Sequence, residues 1–313
     1  MGKKVTIIGA GNVGATIGFT LAVKGLASEI LFVDVAKEKA LGEAMDIYQA
    51  TPVCEPVFVH AGDYPDAANS DIVVITSGIA RRPGQTRLEL AQTNVNILKS
   101  ITEQITKYAP NAIYIIVSNP VDILTYVFTK ISGIPEHRII GSGTQLDSAR
   151  LCATLAEKLD VNQKDVHAFV LGEHGDSSFV PWSMATVAGV KIDDYCNGAF
   201  DGRKFDINYD EIVKYVRDSG GMVIKRKGAT YYAIAVSVCR IIEMLDRCDN
   251  GVAVVSTMMH GEYGVDDVCI STPCIVGPHG IKGKLLVSMT DEEIEKLRAS
   301  GRAMKAAMEA LTY

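Results

Sequence analysis

The sequence predicts an α/β protein whose first half forms a doubly wound parallel sheet and whose second half forms an α+β substrate domain. Short apolar runs rich in Val and Ile alternate with amphipathic stretches through the first 143 residues. Continuous apolar strands between helices imply a parallel sheet that is covered on both faces. Beyond residue 143 this regular alternation stops. We therefore predict two domains, covering residues 1–143 and 144–313.

Six apolar runs are the predicted strands of the first half, and four amphipathic stretches are the helices between them. The strands are predicted at 5–8, 29–34, 57–61, 71–77, 112–118 and 138–143. The helices are predicted at 12–24, 37–49, 88–108 and 121–131. Apolar residues of the third helix recur at spacings of three and four, which predicts one shared face: Leu88, Ala91, Val95, Leu98, Ile101 and Ile105.

The second half mixes helices and strands in an irregular order. Helices are predicted from Thr144 onward, at 209–224 and at 229–245. Strands are predicted at 166–171, 187–192, 252–258 and 268–276. The last helix is predicted to begin after Thr290, a favourable N-cap residue followed by three acidic residues that complement the helix dipole.

Composition excludes several classes of function. The 313-residue chain has a net charge of -6, which makes a general nucleic-acid surface unfavourable. No apolar run approaches the roughly 20 residues that a membrane span needs. The seven cysteines include no C-x-x-C pair, which argues against a disulfide framework or a zinc site. We expect a protein of the reducing cytoplasm with no metal ligand set.

A glycine-rich turn follows the first strand. Gly9, Gly11 and Gly14 form G-x-G-x-x-G between the strand VTII and the first helix, the context that a dinucleotide-binding Rossmann motif requires. The helix N-terminus offers free N–H groups to phosphate. Asp34 ends the second strand, 23 residues after Gly11, where a carboxylate accepts hydrogen bonds from a ribose diol and repels a 2′-phosphate. The pattern predicts NAD as the cofactor rather than NADP.

Three polar fragments carry the residues for chemistry: SNPVD (118–122), GTQLDSAR (143–150) and LGEHGDS (171–177). Asn119 ends a predicted strand, at the edge where open α/β sheets bind ligands. Asp147 and Arg150 share one helix face, where a surface salt bridge is the default interpretation. His174 lies in a glycine-flanked loop, where a single histidine is more often incidental. Together with a nicotinamide, however, these groups suffice for hydride transfer, because histidine can take the hydroxyl proton and arginine can bind a carboxylate.

The chain resembles the L-lactate/malate dehydrogenase family along essentially its whole length. The matching pieces are GAGNVG, GIARRPGQTR, SNPVD, LDSAR and GEHGDS, in the family's order; GEHGDS and KGATYY (227–232) resemble the lactate branch. The resemblance implies His174 as the acid/base, Asp147 as its partner, and Arg150 as the anchor of the substrate carboxylate. It also implies Arg87 as the arginine that polarises the carbonyl, carried on a loop that closes over the substrate, with Asn119 and Thr230 beside the substrate.

The resemblance extends to the cofactor and to assembly. It implies that NAD is held by Gly9, Gly11, Asn12, Val13, Gly14, Asp34, Gly78, Ser118 and Asn119. Family members are commonly dimers or tetramers, so a homo-oligomer is expected. Many bacterial lactate dehydrogenases bind fructose 1,6-bisphosphate between subunits, using an arginine where this chain has Cys152 and a histidine that matches His167. Without the arginine we predict little or no activation by that ligand.

Arg81 occupies the position at which this family selects its substrate. Lactate dehydrogenases typically carry Gln there and malate dehydrogenases carry Arg. A guanidinium can bind the second carboxylate of malate, whereas closure over the methyl group of lactate leaves a buried charge unpaired, at about 2–5 kcal/mol. The sequence therefore favours malate and oxaloacetate. L-Lactate dehydrogenase is the alternative, with Arg81 facing solvent and the lactate-type framework setting specificity.

Two more distant alternatives remain. An NAD-dependent glycoside hydrolase shares a related nucleotide domain, but it would need metal-binding Cys and His, and no such cluster lies beside LGEHGDS. A non-catalytic NAD-binding protein would be free to lose its acid/base groups, whereas His174, Asp147, Arg150 and Arg87 are present together.

Overall fold

The computed structural model describes residues 3–79, 84, 86–199, 201–247 and 250–313. Its first half contains the strands β1 (Lys4–Ile8), β2 (Glu29–Val33), β3 (Phe58–Ala61), β4 (Ile72–Ile75), β5 (Ile113–Ile116) and β6 (Ile139–Gly141). The helices between them are α1 (Asn12–Lys24), α2 (Lys37–Ala50), α3 (Arg87–Tyr108) and α4 (Val121–Ile131). The six strands are parallel, in the order β3-β2-β1-β4-β5-β6, which confirms the predicted doubly wound sheet.

The second half adds five helices in the described part of the chain and extends the same sheet. The helices are α5 (Gln145–Leu159), α6 (Ile192–Asp194), α7 (Tyr209–Lys227), α8 (Tyr232–Asp246) and α9 (Asp291–Glu309). The short strands β7 (Val166–His167), β8 (Thr186–Val187) and β9 (Val190–Lys191) form a separate antiparallel sheet. The long strands β10 (Gly251–His260) and β11 (Asp266–Gly277) and the shorter β12 (Gly280–Lys284) continue the main sheet from β6 in antiparallel order.

Several sequence-based elements differ from the structure. The strand predicted at 166–171 is the two-residue β7, and the strands predicted at 112–118 and 138–143 already end at Ile116 and Gly141. The strand predicted at 187–192 is the tight hairpin β8–β9 followed by α6, because Ala188 and Gly189 take positive φ and turn the chain. The strand β12 was not predicted, since its sequence GIKGK has no apolar run. The strand predicted at 71–77 ends at Ile75, where the chain leaves the sheet. The predicted boundary at residue 143 falls between β6 and α5 and stays a prediction.

Two apolar cores cover the two faces of the main sheet, because alternate residues of each strand point to opposite sides. Leu31 and Val33 pack on the face covered by α3, α4 and α9. Ile30 and Phe32 pack on the opposite face, under α1, α2 and α8. A third core joins α5, α7 and the small sheet. Both faces of the parallel strands are therefore buried, as their continuous apolar sequences predict.

Helix α3 shows how the sequence determines one element that borders the site. Thr86 is its N-cap: the Thr86 hydroxyl accepts the backbone N–H of Glu89, and the Glu89 carboxylate accepts the backbone N–H of Thr86. The predicted apolar face is buried from Ala91 to Ile105, but Leu88 is exposed. Leu88 lies in the first turn of α3, and the residues of α3 that join the core begin at Ala91. None of the helices in the described ranges is long and apolar enough to cross a membrane.

Candidate active site

A cavity of about 570 Å³ lies at the carboxyl edge of the parallel strands. Residues that follow β4, β5 and β6 form one wall: Thr76, Gly78, Val117, Ser118, Asn119, Ser142 and Gly143. The other walls come from α5, from the loop around His174 and from α7. Open α/β sheets bind ligands at this edge. The cavity has the size and position of a small-molecule site.

The cavity brings together His174, Asp147 and Arg150, as the sequence predicts. His174 Nδ1 lies 2.6 Å from Asp147 Oδ2. Arg150 Nη1 donates to the other oxygen, Asp147 Oδ1, at 2.9 Å. Asp147 and Arg150 stand one turn apart on α5, so the helix itself fixes their spacing. The Asp147 carboxylate therefore holds an imidazole on one oxygen and a guanidinium on the other.

The loop that carries His174 is tied to α5 by two hydrogen bonds. The hydroxyl of Thr144 donates to the carbonyl of Val170 at 2.5 Å, and the hydroxyl of Ser148 accepts the backbone N–H of Val170 at 2.9 Å. Gly172 has φ +88° and no room for a Cβ against Ser300, so the turn before His174 requires glycine. The Nδ1 edge of His174 is thereby held against Asp147, and 29% of its side chain stays exposed.

Burial and charge shift the proton affinities of this group in opposite directions. Burial lowers the pKa of His174, but the hydrogen bond to Asp147 and the charges of Asp147 and Asp122 outweigh burial and raise it. Burial raises the pKa of Asp147, but its hydrogen bond to His174 and the charges of His174 and Arg150 outweigh burial and lower it. The arrangement favours an imidazolium on His174 beside a carboxylate on Asp147. A histidine that receives a proton is stabilised by such a neighbouring negative charge.

Asn119 and its neighbours are fixed by a residue that sequence reasoning missed. The side chain of Asn94 donates to the carbonyl of Asn119 at 2.7 Å and accepts the N–H of Ile79 at 2.9 Å. The signal was present, because Asn94 is a polar residue on the apolar face of α3. Asn119 precedes Pro120 through a cis peptide bond, and its side chain is exposed. Ser118 donates to the carbonyl of Ser77 at 2.6 Å.

The structure separates Arg87 from the other predicted catalytic residues. Its guanidinium is 74% exposed and pairs with the carboxylate of Asp176. The hydrogen bond between them raises the pKa of Arg87 and lowers that of Asp176. Arg87 is absent from the lining of the cavity among the described residues, whereas Asp176 belongs to it. Arg81 lies outside the described residues.

Three predicted substrate and regulatory positions remain. Thr230 lines the cavity beside Ile234, at the start of α8. Cys152 is half-buried on α5, and its thiol lies 3.5 Å from the carbonyl of Ala168. His167 is exposed on β7. The interpretation of Cys152 and His167 as an incomplete bisphosphate site stays a prediction.

The glycine turn has the shape that a dinucleotide needs. Gly9 has φ +107°, and a Cβ on Gly14 would lie 1.9 Å from the carbonyl oxygen of Gly9. A Cβ on Gly11 would meet no atom within 4 Å, so this side of the turn is open. Gly11 caps α1 without a side-chain hydrogen bond, and the first turn, which begins at Asn12, has no acidic residue. The N–H groups of α1 therefore face a space that fits a pyrophosphate.

Asp34 is anchored to the same turn. Its Oδ2 accepts the backbone N–H of Ala10 at 2.6 Å, and its Oδ1 accepts that of Ala36 at 2.8 Å. The carboxylate is thus fixed beside the glycines at the end of β2, where NAD-binding folds receive the adenosine ribose. Val13, Gly78, Ser118 and Asn119 lie on the cavity wall. These residues together fit NAD.

Comparisons with known proteins identify the family of the chain. The lactate/malate dehydrogenase NAD-binding domain model matches residues 3–141, and the lactate/malate dehydrogenase alpha/beta C-terminal domain model matches residues 144–312. The chain is 44% identical over 309 residues to an L-lactate dehydrogenase of Acetivibrio thermocellus, covering 99% of this chain and 97% of the relative. It is 45% identical over 303 residues to an L-lactate dehydrogenase of Thermoanaerobacterium saccharolyticum, covering 96% and 97%.

Solved structures show the same similarity. A lactate dehydrogenase from a deep-sea metagenome library of the Medee basin superposes with a TM-score of 0.95 at 34% identity, covering 99% of this chain and 98% of that one. The minor L-lactate dehydrogenase of Enterococcus mundtii, in a ligand-bound form, superposes with a TM-score of 0.94 at 36% identity, covering 98% of each chain.

Proposed function

Because the chain belongs to the lactate/malate dehydrogenase family, it is an NAD-dependent 2-hydroxy acid dehydrogenase, and we propose that L-lactate and pyruvate are its substrates. The observation that carries the substrate proposal is the identity of 44–45% to bacterial L-lactate dehydrogenases along almost the entire chain. The sequence alone favoured malate, because of Arg81. The relatives favour the alternative, L-lactate.

Proton transfer is the role we propose for His174. Its Nδ1 is paired with Asp147, so Nε2 is the ring nitrogen that remains for the substrate. In the oxidative direction Nε2 takes the hydroxyl proton while NAD, when bound, supplies the hydride acceptor. The resulting imidazolium is stabilised by the Asp147 carboxylate. In reduction the same proton returns to the oxygen of the 2-keto group.

Substrate orientation is the role we propose for Arg150. Among the described residues its side chain makes one hydrogen bond, from Nη1 to Asp147, and it also lines the cavity. The rest of its planar guanidinium is therefore available to bind the carboxylate of a 2-keto acid through parallel hydrogen bonds. Asn119 and Thr230 border the same space. Arg87 would polarise the substrate carbonyl after leaving Asp176.

Malate and oxaloacetate are the second candidate pair, because Arg81 provides a charge that matches a second carboxylate. Steady-state kinetics with pyruvate and oxaloacetate, each with NADH and NADPH, test both proposals. We expect a higher kcat/KM for pyruvate with NADH. A higher kcat/KM for oxaloacetate that Arg81→Gln abolishes would establish the second candidate instead. Arg82→Gln, at the adjacent position, is the matched control for loss of positive charge from the loop.

A homo-oligomer is the assembly that we propose. Several large apolar side chains are exposed on α1, α2 and α8, helices that pack against the same face of the sheet: Phe19, Val23, Leu41, Met45, Tyr48, Tyr232 and Val236. Such side chains are typical of a surface that a second subunit covers. Light scattering coupled to gel filtration tests this proposal. A mass that stays at 33.7 kDa at high protein concentration would contradict it.

A further inference from the structure

Asn94 is a buried amide on the apolar side of α3. Its side chain belongs to a residue that is only 3% exposed, and most of the other buried residues of this helix are apolar. Asparagine is a weak helix former, and burial of an amide is unfavourable unless its polar atoms are hydrogen-bonded. The hydrogen bonds that Asn94 makes must therefore offset the cost of placing it here. The mechanism described above gives Asn94 no role.

The described hydrogen bonds of the Asn94 side chain all lead to the backbone of two other segments. Its Oδ1 accepts the N–H of Ile79 at 2.9 Å. Its Nδ2 donates to the carbonyl of Asn119 at 2.7 Å and to that of Ile79 at 3.3 Å. Both donors and the acceptor of the amide are thus used. Because Ile79 follows β4 and Asn119 follows β5, one side chain of α3 joins the two loops that leave the sheet beside the cavity.

The two loops are packed closely around this amide. A Cβ on Gly78, the residue before Ile79, would lie 3.3 Å from Asn94 Oδ1, which is tighter than ordinary van der Waals contact. The hydroxyl of Ser118 joins the same loops a second time, by donating to the carbonyl of Ser77 at 2.6 Å. Gly78, Asn94 and Ser118 all line the cavity. The joint between the loops therefore borders the space that a ligand would occupy.

The side chain of Asn119 is held less firmly than its backbone. Asn119 is exposed and lines the cavity, and its Oδ1 accepts the N–H of Val121 only at 3.3 Å. Its carbonyl, by contrast, accepts the shorter hydrogen bond from Asn94. The direction of the Asn119 amide therefore depends on where the backbone of this residue lies, and Asn94 determines that position.

We propose that Asn94 is a positioning residue of the active site: it holds the backbone of Asn119 so that the Asn119 amide is directed at the nicotinamide and the substrate. This inference rests on the proposed function, because it assigns Asn119 to the space that both ligands share. Asn94 is not a reacting group, since backbone atoms occupy its donors and its acceptor. None of its described hydrogen bonds leads to the glycine turn or to Asp34, so the adenosine end of the cofactor site is independent of it.

Two substitutions remove the hydrogen bonds of Asn94 but differ in packing. Asn94→Ala leaves a small cavity, whereas Asn94→Val fills the position with an apolar side chain of similar size and should fold. We expect both to lower kcat/KM for pyruvate reduction by about 10²-fold, because a displaced polar group no longer orients the substrate. Wild-type kcat/KM in Asn94→Val would overturn the proposal, because packing alone would then be sufficient. Asn96→Ala is the matched control, since Asn96 is exposed on the same helix and contacts Gln92.

A double-mutant cycle with Asn119 tests whether the effect of Asn94 passes through that residue. Asn119→Ala alone should also lower kcat/KM for pyruvate. Adding Asn94→Val to Asn119→Ala should then lower kcat/KM by less than about threefold, because the amide that Asn94 positions is already absent. Two losses that multiply in the double variant would show that Asn94 acts by another route and would overturn the proposal.

Cofactor binding separates this inference from the choice of substrate, because it requires no keto acid. In Asn94→Val, NADH should bind about tenfold more weakly, whereas ADP-ribose, which lacks the nicotinamide, should bind as in the wild-type protein. Fluorescence titration with NADH, and its displacement by ADP-ribose, measure the two Kd values. An unchanged Kd for NADH, or an equal loss of affinity for ADP-ribose, would overturn the role of Asn94. A wild-type enzyme that reduces neither pyruvate nor oxaloacetate would overturn the proposed substrates, while the NADH titration would still report on Asn94.

Discussion

The guanidinium of Arg87 lies 2.5 Å from the carboxylate of Asp176, with the two side chains 74% and 70% exposed. Exposed ion pairs typically contribute about 0–1 kcal/mol to stability. Separating Arg87 from Asp176 should therefore cost little free energy. Arg87 is the first residue of α3 and the last residue of the fragment GIARRPGQTR (78–87). In the proposed mechanism, Arg87 exchanges Asp176 for the carbonyl of a bound 2-keto acid.

Arg87→Ala should lower kcat by about 10²–10³-fold, the usual effect of removing one group that stabilises developing negative charge. The melting temperature should hardly change, because the lost ion pair is exposed. Lys130→Ala is the matched control, since Lys130 forms a similar exposed pair with Asp267 at 2.7 Å and neither of these residues lines the cavity. Wild-type kcat in Arg87→Ala would exclude Arg87 from the reaction.

Asp147→Asn should move the pH dependence of the enzyme. The hydrogen bond and charge of Asp147 raise the pKa of His174, and in the proposed mechanism reduction of a 2-keto acid requires protonated His174. The fall in kcat/KM with rising pH should therefore begin at lower pH in the variant. Glu136→Gln, which alters the exposed contact of Glu136 with His260, is the control. A pH profile of unchanged position would contradict the assignment of His174 and Asp147 as a proton-carrying pair.

The pKa shifts of His174 and Asp147 predict how the stability of the protein depends on pH. The folded-state pKa of His174 is raised above 6.5. The contribution of His174 to the free energy of unfolding is therefore complete below pH 6.5 and is lost as pH rises through the folded-state pKa. The folded-state pKa of Asp147 is lowered below 3.8. The contribution of Asp147 to the free energy of unfolding is therefore present above pH 3.8 and is lost as pH falls. The free energy of unfolding lost in His174→Asn should therefore be largest between these values, as measured by urea denaturation. A loss that grows steadily above pH 7 would contradict this.

Much of the fold could be predicted from sequence because it depends on local patterns. Apolar runs identify the parallel strands, and the glycine positions identify the nucleotide turn. Each of these signals spans only a few residues of sequence. The continuation of the main sheet by β10, β11 and β12 could not be predicted, because β10 joins the parallel strands through β6, more than a hundred residues away. Pairing at that separation depends on how the whole chain packs.

The candidate site, too, was predictable only where its residues are close together in sequence. The shared helix face of Asp147 and Arg150 was predictable because one helix turn separates them, whereas only the family resemblance linked them to His174. The hydrogen bonds from Asn94 to Asn119 and from His174 to Asp122 join distant segments, and nothing in the spacing of these residues indicates them. The pairing of Arg87 with Asp176 is likewise a property of tertiary structure.

Gly11 and Gly14 should respond differently to alanine, although three positions separate them in one motif. A Cβ on Gly14 would lie 1.9 Å from the carbonyl oxygen of Gly9, so Gly14→Ala must displace the turn from α1 and lower the melting temperature. A Cβ on Gly11 meets no protein atom within 4 Å, so Gly11→Ala should melt like the wild-type protein. The added methyl group would instead occupy the space of the pyrophosphate, and the Kd for NADH should rise. Calorimetry and fluorescence titration with NADH measure the two effects separately. Wild-type affinity in Gly11→Ala would place the pyrophosphate elsewhere, because a dinucleotide bound against this turn leaves no room for the methyl group.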